Sequence, residues 1–250
     1  MARIAVDGAG ASPSGSPLLA DHTTLRVGGP ADRLVVATTE AELVETVSDC
    51  DRRGEPVLVV GGGSNLLVAD EGFRGTAVVV ATRGISADVS SCGGAAVRVA
   101  AGEDWDAFVA EAVAREWSGV EALSGIPGSV GATPIQNVGA YGAEVAQTIA
   151  SVRTWDRLRA AQATFAVADC GFGYRTSRFK REPRRYLVLE VGFQFPLATL
   201  SSPVAYAELA RALGVEVGRR APATEVREAV LGLRRGKGMV LDDADHDTWS

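Results

Sequence analysis

The sequence predicts an α+β protein in which a larger body of strands and helices is followed by a helical part. Three observations lead to this fold class. Short apolar runs typical of strands alternate with amphipathic runs typical of helices. A glycine-rich segment, residues 123–142, interrupts this pattern near the middle of the chain. Beyond Pro196, two amphipathic helices follow each other directly, so we expect a second domain to begin there.

The first elements are predicted from local patterns. Residues 6–17 are rich in Gly, Ser and Pro, so residues 1–20 are expected to form a disordered tail. A strand is predicted over residues 32–37. A capping box from Thr39 to Glu42 then starts a helix with Leu43, Val44 and Val47 on its inner face.

The next strand leads into a glycine loop. Residues 56–60 read PVLVV, a buried strand, and residues 61–65 read GGGSN. This arrangement can hold a pyrophosphate on main-chain N–H groups. It is not a P-loop, because no G-K-[ST] follows, and Leu66 stands where a dinucleotide fingerprint has its third glycine. The following strand, residues 77–80, ends without an acid to hold a ribose. A glycine-rich hairpin without a ligand is the alternative.

The helix predicted over residues 104–117 has one clear apolar face, which we expect to be core rather than a cofactor contact. Its residues are Trp105, Phe108, Val109, Ala112 and Val113. Further strands are predicted at residues 97–100, 151–155, 163–167 and 186–195. Helices are predicted at residues 203–213 and 224–235, with Tyr206, Leu209, Ala210 and Leu213 on one face of the first, Val226, Ala229, Val230 and Leu233 on one face of the second, and Gly236 as a C-cap.

The segment 123–142 suits neither an amphipathic helix nor an alternating strand, because glycines and two prolines interrupt small apolar residues. Glycine lets a ligand approach main-chain N–H groups closely. We therefore expect this segment to contact a ligand, with a surface loop as the alternative. Its polar side chains are those of Thr133, Gln136, Asn137 and Tyr141.

Composition excludes several classes of protein. The chain has 250 residues, of which 46% are hydrophobic, and a net charge of −6, which argues against general nucleic-acid binding. The region 153–185 nevertheless holds nine Lys or Arg against three acids, either a solvated face or a pocket for phosphates or carboxylates. No apolar run approaches the roughly 20 residues of a membrane span. Neither a membrane nor a nucleic-acid partner is expected.

Cysteine and histidine usage argues against a metal site. Cys50, Cys92 and Cys170 are far apart, without a C-x-x-C motif, and the only histidines are His22 and His246. This pattern also argues against a disulfide framework. Because the N-terminus lacks the features of a signal peptide, we expect a reduced, cytoplasmic location.

Three motifs follow one another along the chain, and their order is characteristic: PVLVVGGGSNLL, SGIPGSVGATPIQNVGAYG and CGFGYRTSRFK. Together they resemble the UDP-N-acetylenolpyruvoylglucosamine reductase family, from about residue 25 to the last residue. The resemblance implies a two-lobed FAD-binding domain of the PCMH/vanillyl-alcohol-oxidase type over residues 21–196. Residues 197–250 would be the N-terminal part of an α+β domain that binds the UDP-sugar. Because this fold is not the dinucleotide type, the missing ribose acid is explained.

The resemblance also implies site residues. The cofactor contacts would be Gly61, Gly62, Gly63, Ser64, Asn65, Leu66, Ile126, Gly131, Ala132, Thr133, Pro134, Gln136, Asn137 and Tyr141. Arg175 matches the active-site arginine, and Tyr174, Tyr206 and Lys237 would bind substrate. Tyr206 and Lys237 match residues that contact the UDP diphosphate, although Tyr206 on an apolar helix face also suits a structural role.

The implied reaction uses NADPH and FAD to reduce UDP-N-acetylglucosamine enolpyruvate to UDP-N-acetylmuramate for peptidoglycan. Reduction creates an enol conjugated with a carboxylate, and a fixed cation stabilises that charge without reorganisation. The planar fork of Arg175 suits this task. No obligate protein partner is evident.

One departure from the family pattern concerns the end of the sequence. The family's proton-donor serine, in a G-S-F-F motif, and a later glutamate would both follow Ser250. We therefore expect a C-terminally truncated form with impaired activity, since losing a positioned acid typically costs about 10²- to 10⁴-fold. The alternatives are a non-catalytic FAD-binding protein of the same fold and an oxidase acting on an alcohol or lactone.

Overall fold

A computed structural model describes residues 2–4, 17–242, 244–245 and 247–248. Its strands are β1 Ala2–Ile4, β2 Ala31–Ala37, β3 Val57–Val60, β4 Leu66–Val68, β5 Phe73–Val80, β6 Ile85–Ser90, β7 Gly94–Ala100, β8 Gly139–Ala140, β9 Ala143–Glu144, β10 Ile149–Asp156, β11 Ala161–Ala166 and β12 Tyr186–Phe195. Its α-helices are α1 Glu40–Arg53, α2 Trp105–Ala114, α3 Arg178–Arg181, α4 Ala207–Leu213 and α5 Ala223–Arg235.

The first lobe is built on a parallel sheet of order β2-β5-β3. Because parallel strands need a crossover, α1 connects β2 to β3 and buries Leu43 and Val47 against the sheet, as predicted. The Thr39 hydroxyl accepts the N–H of Glu42 at 3.2 Å and caps the helix. The Glu42 carboxylate accepts the N–H of Thr38, not that of Thr39, so the expected reciprocal box is displaced by one residue.

The second lobe is an antiparallel sheet of order β11-β10-β12-β7-β6. Helix α2 packs on it, and all five residues of its predicted apolar face are buried. Phe108 packs against Phe193 with ring centroids 5.0 Å apart, which places the aromatic residues in the core as expected. The indole N–H of Trp105 donates to the carbonyl of Leu123 at 3.1 Å. The core therefore holds the start of the glycine-rich segment.

Ion pairs join the two lobes and use two of the nine basic residues in the region 153–185. Arg153 donates to both carboxylate oxygens of Glu40 on α1, at 2.6 and 2.7 Å. Arg157 donates to both oxygens of Asp51, at 3.0 and 2.6 Å. The hydrogen bonds that Arg153 donates to Glu40 hold the pKa of Arg153 above its ordinary value. These arginines fasten the lobes together, so this part of the basic region is neither a free solvated face nor an anion pocket.

Helices α4 and α5 pack on each other after the second lobe, around Val204, Leu209, Val226 and Val230. The predicted start of α4 at residue 203 is wrong, because the helix begins at Ala207. The main chain before it is held in extended form by other contacts: the N–H of Val204 donates to the carbonyl of Arg219 at 2.8 Å. Gly236 ends α5 as predicted.

A bidentate ion pair contributes to the attachment of helix α5 to the body. Arg227 donates to the two carboxylate oxygens of Asp106 on α2, at 2.6 and 3.0 Å. Asp106 also accepts the N–H of Gly125 at 2.6 Å. Burial would raise the pKa of Asp106, but the bonds from Arg227 and Gly125 outweigh it and hold that pKa below its usual range.

The structure departs from the predicted tail over residues 1–20. Residues 5–16 lie outside the described residues, as does Ser250. However, β1 pairs in parallel with β4, and Leu19 is buried in the first lobe. The ordered body therefore begins before residue 21, because the apolar Leu19 side chain packs in the core.

Neither a membrane span nor a metal site is expected from the sequence, and the described residues were searched for both. Across this part of the chain, no helix is both long and apolar enough to cross a bilayer. The same residues contain no group of three His, Cys, Asp or Glu side chains arranged to hold a metal ion. The three cysteines are free thiols, with Cys50 and Cys170 buried and Cys92 exposed.

Candidate cofactor site

A cleft of about 550 Å³ lies where β3 ends. Its walls are the glycine loop 61–66, the glycine-rich residues 126–140, and Arg175 with Lys180. A second cavity of about 980 Å³ adjoins it and shares Gly61, Ser129 and Ala132 as lining residues. The two cavities therefore lie side by side, with these residues between them.

The two glycine motifs pack directly on each other. A Cβ added at Gly62 would lie 2.5 Å from the Cα of Gly128, so no larger residue fits without moving the backbone. The hydroxyl of Ser64 donates to the carbonyl of Pro127 at 3.1 Å. The glycines thus serve close approach of two backbones at the mouth of the cleft.

The loop 61–65 lines the cleft and carries five consecutive main-chain N–H groups. Among the described residues, none accepts a hydrogen bond from the N–H groups of these five residues. Gly63 has a φ of +67°, the left-handed region that favours glycine, which turns the loop at this point. Successive N–H groups in a turn form a concave site for an anion such as a phosphate.

The opposite wall of the cleft, residues 130–133, is held by hydrogen bonds to the backbone of residues 101–103. The N–H of Gly131 donates to the carbonyl of Ala101 at 2.8 Å, and that of Val130 donates to Glu103 at 2.8 Å. A Cβ at Gly131 would lie 2.5 Å from the Cβ of Ala101. The buried hydroxyl of Thr133 donates to the carbonyl of Val130 at 2.8 Å. This wall is therefore fixed by its own backbone before any ligand binds.

Arg175 reaches the cleft from a tight turn. Gly173 and Thr176 exchange main-chain hydrogen bonds of 3.1 Å across the turn, and Arg175 has a φ of +53°. Its guanidinium donates to the carbonyl of Gly139 at 2.8 Å. Lys180 donates to the carbonyl of Arg175 at 2.8 Å. Two cations therefore border the cleft next to its glycine-rich wall.

Comparison with known proteins identifies the fold family. The sequence profile of the FAD binding domain family matches residues 31–158, about half of the chain. The chain belongs to that family.

Two curated relatives share one name. The chain is 66% identical over 232 residues to the UDP-N-acetylenolpyruvoylglucosamine reductase of Cutibacterium acnes, covering 93% of this chain and 62% of the relative. It is 56% identical to the enzyme of the same name from Streptomyces coelicolor, covering 93% of this chain and 60% of that relative. The predicted resemblance is confirmed. The chain spans about three-fifths of the length of these relatives.

Solved structures agree with the fold. The UDP-N-acetylenolpyruvylglucosamine reductase of Thermus caldophilus aligns with a TM-score of 0.61 and 27% identity, over 89% of this chain and 69% of that one. A BBE-like protein from Physcomitrella patens aligns with a TM-score of 0.51 and 15% identity, over 74% of this chain and 42% of its own. The α+β, two-lobed FAD-binding fold predicted from the motifs is confirmed.

In this member of the FAD binding domain family, most of the predicted cofactor contacts line the cleft. They are Gly61, Gly62, Gly63, Ser64, Asn65, Leu66, Ile126, Ala132, Thr133 and Gln136, together with the predicted catalytic Arg175. Gly131 lines the adjoining cavity. Pro134, Asn137 and Tyr141 border neither cavity, and their binding roles stay predictions.

Of the three predicted substrate residues, Tyr206 and Lys237 lie close together and Tyr174 does not. Tyr141 and Tyr206 meet edge to face with ring centroids 5.6 Å apart, and Lys237 lies 6.0 Å from the Tyr141 ring. Lys237 pairs with Glu208 at 3.0 Å, and this hydrogen bond raises the pKa of Lys237. Burial raises the pKa of Tyr141. Tyr174 is 85% exposed and stands apart from this group, beside Arg175.

Arg234 is a cleft residue that the sequence reasoning missed. It is 6% exposed, and donates to the carbonyls of Gly125 at 3.0 Å and Met239 at 2.9 Å. Burial lowers its pKa. A signal was present, because Arg234 follows Val226 and Val230 at four-residue spacing on the apolar face of α5. A charged residue in that position indicates a buried polar role.

Proposed function

We propose that this chain binds FAD in the cleft and forms the FAD-binding part of a UDP-N-acetylenolpyruvoylglucosamine reductase. The observation that carries the proposal is that none of the described residues accepts a hydrogen bond from the N–H groups of residues 61–65, in a loop that packs directly on Gly128. The proposed reaction is the NADPH-dependent reduction of UDP-N-acetylglucosamine enolpyruvate to UDP-N-acetylmuramate. Relatives with that name are up to 66% identical, which supports it.

The residues present fit FAD. The loop 61–65 supplies several aligned N–H donors for the pyrophosphate. The mostly apolar wall formed by Ile126, Ala132 and Ile135 suits a flat aromatic ring, and the adjoining cavity gives room for the rest of the cofactor. When bound, FAD supplies the hydride chemistry, and the chain supplies binding, orientation and charge.

Arg175 is proposed to hold the carboxylate of the enolpyruvyl group. Its guanidinium lines the cleft and is already oriented by the carbonyl of Gly139. A cation fixed in this way stabilises negative charge that develops on the substrate, with little rearrangement during the reaction. Its planar fork matches a carboxylate better than an ammonium group does. Tyr174, the exposed neighbour of Arg175, is proposed to contact the same substrate.

Tyr206 and Lys237 are proposed to bind the diphosphate of the UDP-sugar. Lys237 is half-exposed, and its present partner, Glu208, is a single surface carboxylate. A diphosphate carries more charge than one carboxylate, so it would compete for Lys237. The neighbouring Tyr141 is proposed to complete this aromatic group, with a role toward substrate rather than cofactor.

Titration of the flavin-free chain with FAD, followed by flavin fluorescence, tests the proposal. One FAD is expected to bind per chain. Gly62→Val should weaken binding by at least tenfold, because a side chain cannot stand against Gly128 without moving the loop. Gly232→Ala is the matched control, since a Cβ at this exposed helical glycine meets no atom within 4 Å. Equal FAD affinity in Gly62→Val and wild type would contradict the site.

A second measurement separates the reductase from a non-catalytic flavin protein. NADPH is added without oxygen to the FAD-loaded chain, and loss of visible flavin absorbance is followed. The enolpyruvyl substrate is then added. Return of the absorbance supports the reductase. If it does not return, the assay is repeated on a version extended through the expected G-S-F-F segment, and loss without return there supports a flavin protein that accepts hydride but does not reduce the sugar. A reduced cytoplasmic setting belongs to the same proposal, and the three free thiols fit it.

A further inference from the structure

Asn137 is expected from the sequence to contact the cofactor, yet its amide is buried and fully engaged. Its Nδ2 donates to Oε2 of Glu144 at 2.8 Å and to the carbonyl of Gly173 at 3.1 Å, and its Oδ1 accepts the N–H of Ala146 at 3.1 Å. The residue is 1% exposed. We infer that Asn137 is a positioning residue, which fixes the two segments between which the Arg175 guanidinium is held. The inference rests on the proposed role of Arg175.

The first segment is the hairpin formed by β8 and β9. Gly139, whose carbonyl accepts the Arg175 guanidinium, lies in β8, two residues after Asn137. The hydrogen bonds of Asn137 to Glu144 and Ala146 close the base of this hairpin from the other strand. Asn137 has a φ of +46°, a left-handed conformation that asparagine adopts more readily than most residues. Both the side chain and the backbone of Asn137 thus determine where Gly139 lies.

The second segment is the turn that carries Arg175. The carbonyl of Gly173 accepts the N–H of Thr176 across the turn and the Nδ2 of Asn137 from below. The hydroxyl of Ser177 donates to the carbonyl of Ile135 at 2.5 Å and adds a neighbouring tether. The base of the turn is therefore held on the residues that flank Asn137, and Arg175 stands at its tip.

One amide thereby fixes both ends of the Arg175–Gly139 contact. An exposed arginine on an untethered turn would lose much rotamer entropy on binding a carboxylate. Holding the turn and the acceptor on the same side chain removes part of that loss before the ligand arrives. Because both N–H donors of Asn137 are used on protein atoms, the amide has none left for a cofactor.

Two variants separate the side chain from the backbone conformation. Asn137→Asp keeps the shape and the acceptor for Ala146 but loses both donors, the one to Gly173 and the one to the Glu144 carboxylate. Asn137→Gly removes the amide while tolerating the positive φ. The matched control is Gln147→Ala, since Gln147 accepts the N–H of Glu144 at 3.1 Å and touches the hairpin without reaching the turn. All variants are made in the full chain.

The first readout is amide hydrogen exchange of Gly173 and Thr176. Losing the bond to the Gly173 carbonyl should speed this exchange by about tenfold in both Asn137 variants, and Gln147→Ala should leave it unchanged. The affinity for FAD should stay within about twofold of wild type, since Asn137 lines neither cavity. Unchanged exchange in both variants would overturn the inference, and so would a large loss of FAD affinity with normal exchange.

The second readout is a double-mutant cycle with Arg175→Ala, measuring affinity for UDP-N-acetylglucosamine enolpyruvate. Asn137→Asp should weaken binding by about tenfold in the wild-type chain and by less than about twofold when Arg175 is absent. Equal losses in both backgrounds would overturn the positioning role. If the wild-type chain binds neither FAD nor this substrate, the proposed function fails, and hydrogen exchange alone then decides whether Asn137 holds the turn.

Discussion

Replacing Asp106 should weaken the attachment of helix α5 to the body of the protein. Asp106 accepts two hydrogen bonds from Arg227 and one from the N–H of Gly125, and the side chains of Asp106 and Arg227 are 32% and 16% exposed. Breaking a buried ion pair by removing one partner costs about 3–5 kcal/mol. Partial exposure lowers that figure, so Asp106→Ala should reduce the free energy of unfolding by about 2–3 kcal/mol. Asp106→Asn keeps one acceptor oxygen and should cost about 1–2 kcal/mol.

Urea unfolding followed by tryptophan fluorescence measures this loss, because the buried Trp105 adjoins Asp106. Circular dichroism recorded in parallel checks that one transition is being observed. Asp88→Ala, on the exposed strand β6, is the control and should change stability by less than about 0.5 kcal/mol. If Asp106→Ala unfolds at the same urea concentration as this control, the attachment of α5 does not depend on the pair.

The same pair predicts a dependence on pH. The folded-state pKa of Asp106 lies below its ordinary value, so the carboxylate contributes stability above its unfolded pKa of about 3.9. That contribution is lost as the pH falls through the lower, folded-state pKa. The stability difference between wild type and Asp106→Asn should therefore be constant from pH 8 to about 5 and shrink below about pH 4. A difference that grows on acidification would contradict this assignment.

Two further predictions concern packing and thiol reactivity. Gly131→Ala should lower the free energy of unfolding by about 1–3 kcal/mol, because the new Cβ would lie 2.5 Å from Ala101; thermal unfolding measures this, with Gly232→Ala as control. Burial raises the pKa of the Cys170 thiol to about 11, so at pH 8 a thiol-alkylating reagent should label exposed Cys92 first and Cys170 only on unfolding, as mass spectrometry of the digested protein would reveal. Equal labelling of both in the native state would contradict the buried position of Cys170.

The sequence predicts those helices and strands in which buried apolar side chains are clearly separated from exposed polar ones. Helix α2 was predictable because its large apolar residues all point to one sheet, and β12 because it is apolar along most of its length. Strand β6 is not predicted, because nearly all its side chains are exposed and the sequence therefore shows no alternation of apolar and polar residues. Helix α4 was predicted too long, since its apolar spacing continues into a segment held extended by other parts of the chain.

The cleft was predictable where its residues act through the backbone. The glycines at positions 61–63 have no side chain to serve any other purpose, so their close approach to a partner could be expected. The hydrogen bonds of Asn137 could not be predicted, because its partners, Glu144 and Gly173, are 7 and 36 residues away and no local pattern indicates the second. Arg234 likewise depends on Gly125, 109 residues earlier. The roles of Asn137 and Arg234 thus depend on contacts between residues that are far apart in the sequence.

Helix α1 meets the second lobe at two separated points, and this has a consequence for ligand binding. Glu40 and Asp51 lie eleven residues apart, about 16 Å along a helix, and each is paired to an arginine of the other lobe. A single contact would allow the lobes to rotate about it, whereas two separated contacts prevent that rotation. The width of the space between the lobes is then set when the chain folds. A ligand entering there need not bring the lobes together, so that ordering cost is absent from its binding free energy.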